Sequence, residues 1–126
     1  MNIRNVCLIF GWTFIAVGVL GFIPNPLVSS EGFFVVNGPH NLVHLLTGFA
    51  FIIGAALWKG KEALVVTSVG VAYLAVAGLG FVTSGSMLLG IVHINEADRW
   101  LHLGLAFAIL LPGILLRTPT ESVYVK

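Results

Sequence analysis

The sequence predicts an all-α integral membrane protein: a four-transmembrane-helix bundle made of two tandem, parallel hairpin repeats. Three observations predict it. The 126 residues are 58% hydrophobic and 9% charged, with a mean hydropathy of +1.04, whereas a soluble domain is about one quarter charged. Four apolar stretches each approach the roughly 20 residues that a helix needs to cross the hydrocarbon. The second half of the chain repeats the first.

The first span covers residues 6–22 and stops before Pro24 and Pro26. Gly21-Phe22-Ile23-Pro24 offers no small-x-small cleavage site, so the segment reads as a retained anchor. The second span covers 42–58 and ends at Lys59-Gly60-Lys61. The third covers 63–83 and ends at Ser84-Gly85-Ser86; the fourth covers 100–116 and ends at Arg117 and Pro119. None contains Asp, Glu, Lys or Arg. Each such residue would cost about 2.5–3.5 kcal/mol at the bilayer centre. Cores this clean argue against a proton or ion relay. With four spans, Arg4, Lys59, Lys61, Arg117 and Lys126 share one side and Arg99 stands alone on the other. The positive-inside bias places both termini in the cytoplasm and the loops near 25–40 and 85–98 outside. Lys59 and Lys61 then meet anionic lipid headgroups.

The repeat is read residue by residue. Residues 13–22 align with 72–81, with Ala16/Ala75, Val17/Val76, Leu20/Leu79, Gly21/Gly80 and Phe22/Phe81 identical. After one residue of slippage Gly32 matches Gly90, Asn37 matches Asn95, His44 matches His102, and Phe49 matches Phe107. The copies are about 6–58 and 63–116, within one membrane domain. Both insert with the same polarity, which predicts a pseudo-two-fold axis along the membrane normal. Helices in lipid are held by close packing of small residues, and the candidates are Gly11, Gly18, Ala50, Gly54, Gly104 and Ala108. Each outer loop also holds a short β-rich run, 33–36 and 91–94, expected to pair with the other across the axis.

The outer loops and helix starts carry the polar residues. Asn37 and Asn95 suit N-caps, and Asp98 stands where a capping box needs an acid. His40 and His44 are four apart and share a helix face. His102 is four beyond Asp98, at the depth of His44. Three readings of this cluster stand side by side. His40, His44 and His102, with Asp98, Glu96 or His93, suit zinc or copper, since imidazole binds both. His44 and His102 also suit the two axial positions of a haem or related pigment held between helices. The plainest alternative is a structural cluster of helix-end side chains with no cofactor at all.

Other chemistry is excluded. A net charge of +1 does not favour nucleic acid, which needs a basic face. The lone Cys7 rules out an internal disulfide and a multi-cysteine metal site within the chain. No residue set nominates a reaction, so the chain reads as a non-enzyme. It is expected to be an accessory subunit or interaction module that associates with other membrane proteins or itself. Metal or haem binding is the alternative, and an oligomeric transporter or channel the third choice.

Three segments carry a resemblance: Gly21-Phe22-Ile23-Pro24, His40-Asn41-Leu42-Val43-His44-Leu45, and Asn95-Glu96-Ala97-Asp98-Arg99-Trp100-Leu101-His102-Leu103. They resemble a bacterial family of small four-helix membrane proteins catalogued as domain of unknown function 4383. The resemblance spans nearly the whole chain. It implies the four-helix topology and singles out His40, Asn41, His44, Asn95, Asp98 and His102; it implies no activity.

Overall fold

The computed structural model describes residues 1–116. Arg117, Pro119 and Lys126, used above to end the fourth span and orient the chain, lie outside the described residues. The elements run α1 (Ile3–Leu20), β1 (Val28–Ser29), β2 (Phe34–Val35), α2 (Gly38–Leu57), α3 (Glu62–Val82), β3 (Met87–Leu88), β4 (Val92–His93) and α4 (Glu96–Leu115). All four helices are long and apolar enough to cross a membrane, so the chain is an integral membrane protein with a helical-bundle fold.

Three helices begin three or four residues before the apolar stretches that predicted them, and the reason is capping. The Asn2 side chain accepts from the Asn5 amide and starts α1. The Asn37 side chain accepts from the His40 amide and starts α2, with Pro39 in the first turn. Asn95 and Asp98 form a complete capping box on α4: Asp98 N–H donates to Asn95 Oδ1 at 3.0 Å, and Asn95 N–H donates to Asp98 Oδ2 at 3.1 Å. These caps satisfy amides that have no partner within the helix, so the polar first turns fold as helix. His40 and Asp98 therefore belong to helices and not to loops. Between α2 and α3 the chain reverses through Gly60, whose φ of +85° suits glycine.

Within each hairpin the helices touch at the backbone. Cβ atoms added to Gly11 or Gly48 would press on the carbonyl of the other, and one on Gly70 would meet the Leu110 backbone at 2.8 Å. Gly18 faces Leu45, and Gly54 faces Val65 across the α2–α3 turn. Ala50 and Ala108 are exposed instead, and Gly104 is exposed with nothing within 4 Å of an added Cβ. These three do not pack helices together. Gly48, Gly70 and Gly113 hold the close approaches in their place, Gly113 against Thr67. Apart from Gly54 on Val65, the two hairpins meet through larger side chains. Phe14 packs on Phe51 of its own hairpin and on Tyr73 of the other, with ring centroids 6.1 and 5.3 Å apart, and Cys7, Val66, Ala106 and Ile109 are buried around them.

The loop runs do not pair with each other. Phe34–Val35 pairs with Val28–Ser29, and Val92–His93 pairs with Met87–Leu88, each inside its own repeat. The link across the repeats is made by asparagines. Asn37 Nδ2 donates to the Ile91 carbonyl at 2.9 Å, and Asn95 Nδ2 donates to the Phe33 carbonyl at 2.8 Å. Phe33 and Ile91 are equivalent positions of the repeat, so the two bonds are mates. A two-residue strand closes on the nearest chain that its turn returns to it, and the cross-repeat contact falls to side chains.

Candidate functional site

Three helical imidazoles converge at the end of the bundle that carries the two long loops. α2 places His40 in its first turn and His44 one turn further on the same face. α4 places Asp98 and His102 at the equivalent positions. Ring centroids are 4.6 Å apart for His40–His44, 5.3 Å for His40–His102 and 6.1 Å for His44–His102. All three residues are buried, and one ring nitrogen from each lies within 4.8 Å of the others. Ligand nitrogens around a tetrahedral ion with bonds of about 2.0–2.1 Å stand roughly 3.4 Å apart, so binding an ion would draw the three nitrogens closer together.

Two of the rings are held by backbone carbonyls. His40 Nδ1 lies 2.7 Å from the His93 carbonyl, and His102 Nδ1 lies 2.6 Å from the Asp98 carbonyl. A carbonyl only accepts, so in each neutral ring Nδ1 carries the proton and Nε2 keeps its lone pair. A metal-binding histidine is ordinarily oriented in this way, with one nitrogen donating to an outer partner and the other left for the ion. His44 differs: both of its ring nitrogens are buried with no hydrogen-bond partner. A buried polar group left unsatisfied costs about 1–3 kcal/mol. This is the point in the cluster that asks for a ligand.

The walls are largely aromatic and apolar. Phe14 meets His44 edge-on at 5.7 Å, while Tyr73 stacks on His102 at 6.1 Å. The Tyr73 hydroxyl lies 3.1 Å from Thr47 Oγ1. A cavity of about 290 Å³ adjoins the cluster. Its lining includes His40, His102, Thr47, Tyr73, Val76 and Leu88, and His44 is not part of it.

The remaining candidates take positioning or structural places. The Asp98 carboxylate closes its helix cap, and Glu96 binds Arg99 Nη1 and Trp100 Nε1 at 3.1 Å each. Neither carboxylate joins the three imidazoles. His93 offers its carbonyl to His40, and its own amide donates to Asn37 Oδ1 at 3.1 Å. Asn41 is buried against Gly21, leaving no room there for a Cβ, and its Oδ1 has no partner. Lys59 and Lys61 are exposed at the opposite end of α2 and α3. The His40 ring packs against both His44 and His102, so a haem held between those two would have to displace it.

Sequence reasoning missed Tyr73, Thr47 and Arg99. Thr47 was within reach, since 40, 44 and 47 share a helix face. Tyr73 was within reach as the repeat mate of Phe14. Arg99 gathers the Gly80 carbonyl at 2.8 Å, Thr83 at 3.4 Å and Gly85 at 2.6 Å, and so ties off the end of α3. No sequence pattern announces that role.

A family model described as "Domain of unknown function (DUF4383)" matches residues 4–115, and the chain belongs to that family. No curated protein and no solved structure matches it.

Proposed function

We propose that this DUF4383 protein is a membrane-embedded metal-binding protein whose ion, zinc or copper, is held by His40, His44 and His102. One observation carries the reading: His44 is buried with both ring nitrogens unpartnered, beside two imidazoles whose outer nitrogens are already fixed by carbonyls. A purely structural cluster would be expected to pair its own polar atoms. An all-imidazole donor set suits zinc and copper over calcium or magnesium, which take oxygen ligands. Arg4, Lys59 and Lys61, set against Arg99, support an orientation with the termini in the cytoplasm and the site in the outer leaflet.

The test is metal content. The full chain, purified in mild detergent, is stripped with chelator, reloaded with zinc or copper(I), desalted and analysed for metal. The expected result is about one ion per chain, lost in His40→Ala, His44→Ala and His102→Ala variants that keep wild-type helical content. A wild-type protein that retains no metal, or triple-alanine protein that retains as much, overturns the reading.

A second reading, an accessory subunit or interaction module, is supported by a separate feature. A cavity of about 540 Å³ opens between α2 and α3 near the lysine end, lined by Ala50, Ile53, Trp58, Lys61, Leu64 and Val65 among others. It gives a neighbouring transmembrane helix or a second copy a place to pack. A strictly monomeric protein that carries no other chain through a mild-detergent purification would count against it.

A further inference from the structure

We infer that the metal site is open, and that its fourth coordination position takes a small exogenous anion, hydroxide or its equivalent, from the adjoining cavity. The inference rests on the three-histidine metal reading and deepens it.

The donor count comes first. Among the described residues, no fourth His, Cys, Asp or Glu joins the three imidazoles. Two acidic side chains at the start of α4 are engaged elsewhere: Asp98 Oδ2 accepts from Asn95 N–H, and Glu96 binds Arg99 and Trp100. Cys7 sits near the opposite end of α1, beside the Glu62 carbonyl. Structural zinc sites close with four protein ligands, whereas three protein ligands leave a position for water or substrate.

Charge comes second. Three neutral imidazoles add nothing to offset a divalent ion, and the cluster is buried among apolar and aromatic side chains. A bare dication there is costly unless compensated. Metal-bound water loses a proton readily for this reason, and a small anion answers the same need.

Access comes third. His40 and His102 line the cavity while His44 does not, so the His44 side of the cluster is closed and the cavity lies on the other. Its volume of about 290 Å³ exceeds the roughly 30 Å³ that one water occupies in the liquid. Its wall carries the Tyr73–Thr47 hydroxyl pair, with Val76 and Leu88 among the apolar remainder.

The test uses the full chain in detergent, loaded with cobalt(II) as a spectroscopic stand-in for zinc, with bound cobalt counted first. Sodium azide is the probe. The expected result is a visible spectrum of four-coordinate cobalt that shifts on azide addition with saturable, one-to-one binding. Val76→Phe, which narrows the cavity, is expected to bind cobalt as wild type does and weaken azide at least tenfold. Cobalt bound with a spectrum indifferent to 100-fold excess azide overturns the open position and leaves the three-histidine reading standing. An azide response unchanged in Val76→Phe overturns the cavity as its source. Failure to retain cobalt, zinc or copper overturns the metal reading itself.

Discussion

His44 and His102 occupy equivalent positions of the repeat, yet their surroundings differ in every polar respect. His102 donates to the Asp98 carbonyl one turn back and stacks on Tyr73, whose hydroxyl meets Thr47. His44 packs edge-on against Phe14 and has no hydrogen bond. One turn earlier the mates are His40 and Asp98. His40 turns its ring toward its neighbours, while the Asp98 carboxylate turns back to cap its own helix. A duplicated hairpin supplied two facing histidines, and the departures from symmetry made the site. The third imidazole, the hydroxyl and the unpartnered ring all sit where the copies disagree.

The sharpest way to break the comparison is to remove the unpartnered ring. His44→Ala should lower affinity for zinc by more than about 100-fold, beyond the 10–100-fold that loss of an outer-shell partner costs. Asn37→Ala, which removes a bond to the His93 amide and hence one support of the carbonyl facing His40, should fall within that smaller range. Competition against a chelator of known affinity, at fixed pH, reads both. Imidazole nitrogens must be free of protons to bind, so wild-type affinity should fall as pH is lowered.

The second test concerns packing. Gly70→Ala places a methyl 2.8 Å from the Leu110 backbone. Backbone cannot swing aside as a side chain can, and overpacking of this kind costs about 1–3 kcal/mol. Gly104→Ala adds a methyl in open space and should leave the melting temperature in detergent unchanged or slightly raised. Equal losses at the two sites would contradict the described helix faces.

That contrast also shows what the sequence could not reveal. The four spans and the capping box were legible, because a 20-residue apolar run and an Asn-x-x-Asp spacing each have one local physical meaning. Which face of a helix looks inward was not. In water the apolar face marks the core, but in lipid both faces are apolar. Leu46, Phe49 and Phe107 are exposed while Gly48 and Ala106 are buried, so Ala50, Gly104 and Ala108 were as plausible as Gly48 and Gly113. The site was half legible. The repeat paired His44 with His102, and the four-residue spacing added His40. The carbonyls that fix two of the rings come from β4 and from the turn before His102, and only the folded chain brings the first of them near.

The third test separates the two asparagines from the histidines they frame. Asn37→Ala and Asn95→Ala each remove an N-cap and one mated bond to the opposite loop. Each should destabilise the protein by about 1–2 kcal/mol. Because these two bonds tie the same pair of loops together, alongside the contacts that His93 makes with Asn37 and His40, the double variant should lose less than the sum. Thermal unfolding of the single and double variants in one detergent decides it. Strict additivity would mean that each asparagine acts only as a cap.

The smallest effect is the most diagnostic, and it is one of sign. In metal-free protein His44→Phe replaces a ring with two unsatisfied nitrogens by an apolar ring beside Phe14. Removing a buried, unpaired polar group is stabilising, so this variant should melt above the wild type by an amount equivalent to about 1 kcal/mol. His102→Phe removes a ring that already donates to a carbonyl, so the same exchange gains nothing and forfeits a hydrogen bond, and it should melt below. Both variants should fail to retain zinc. A residue that weakens the empty protein but is required to fill it marks a binding site, since function and stability then pull apart at one position. If His44→Phe melted below His102→Phe, the unpartnered ring would be a structural element of the bundle, and the asymmetry between the repeats would concern folding alone.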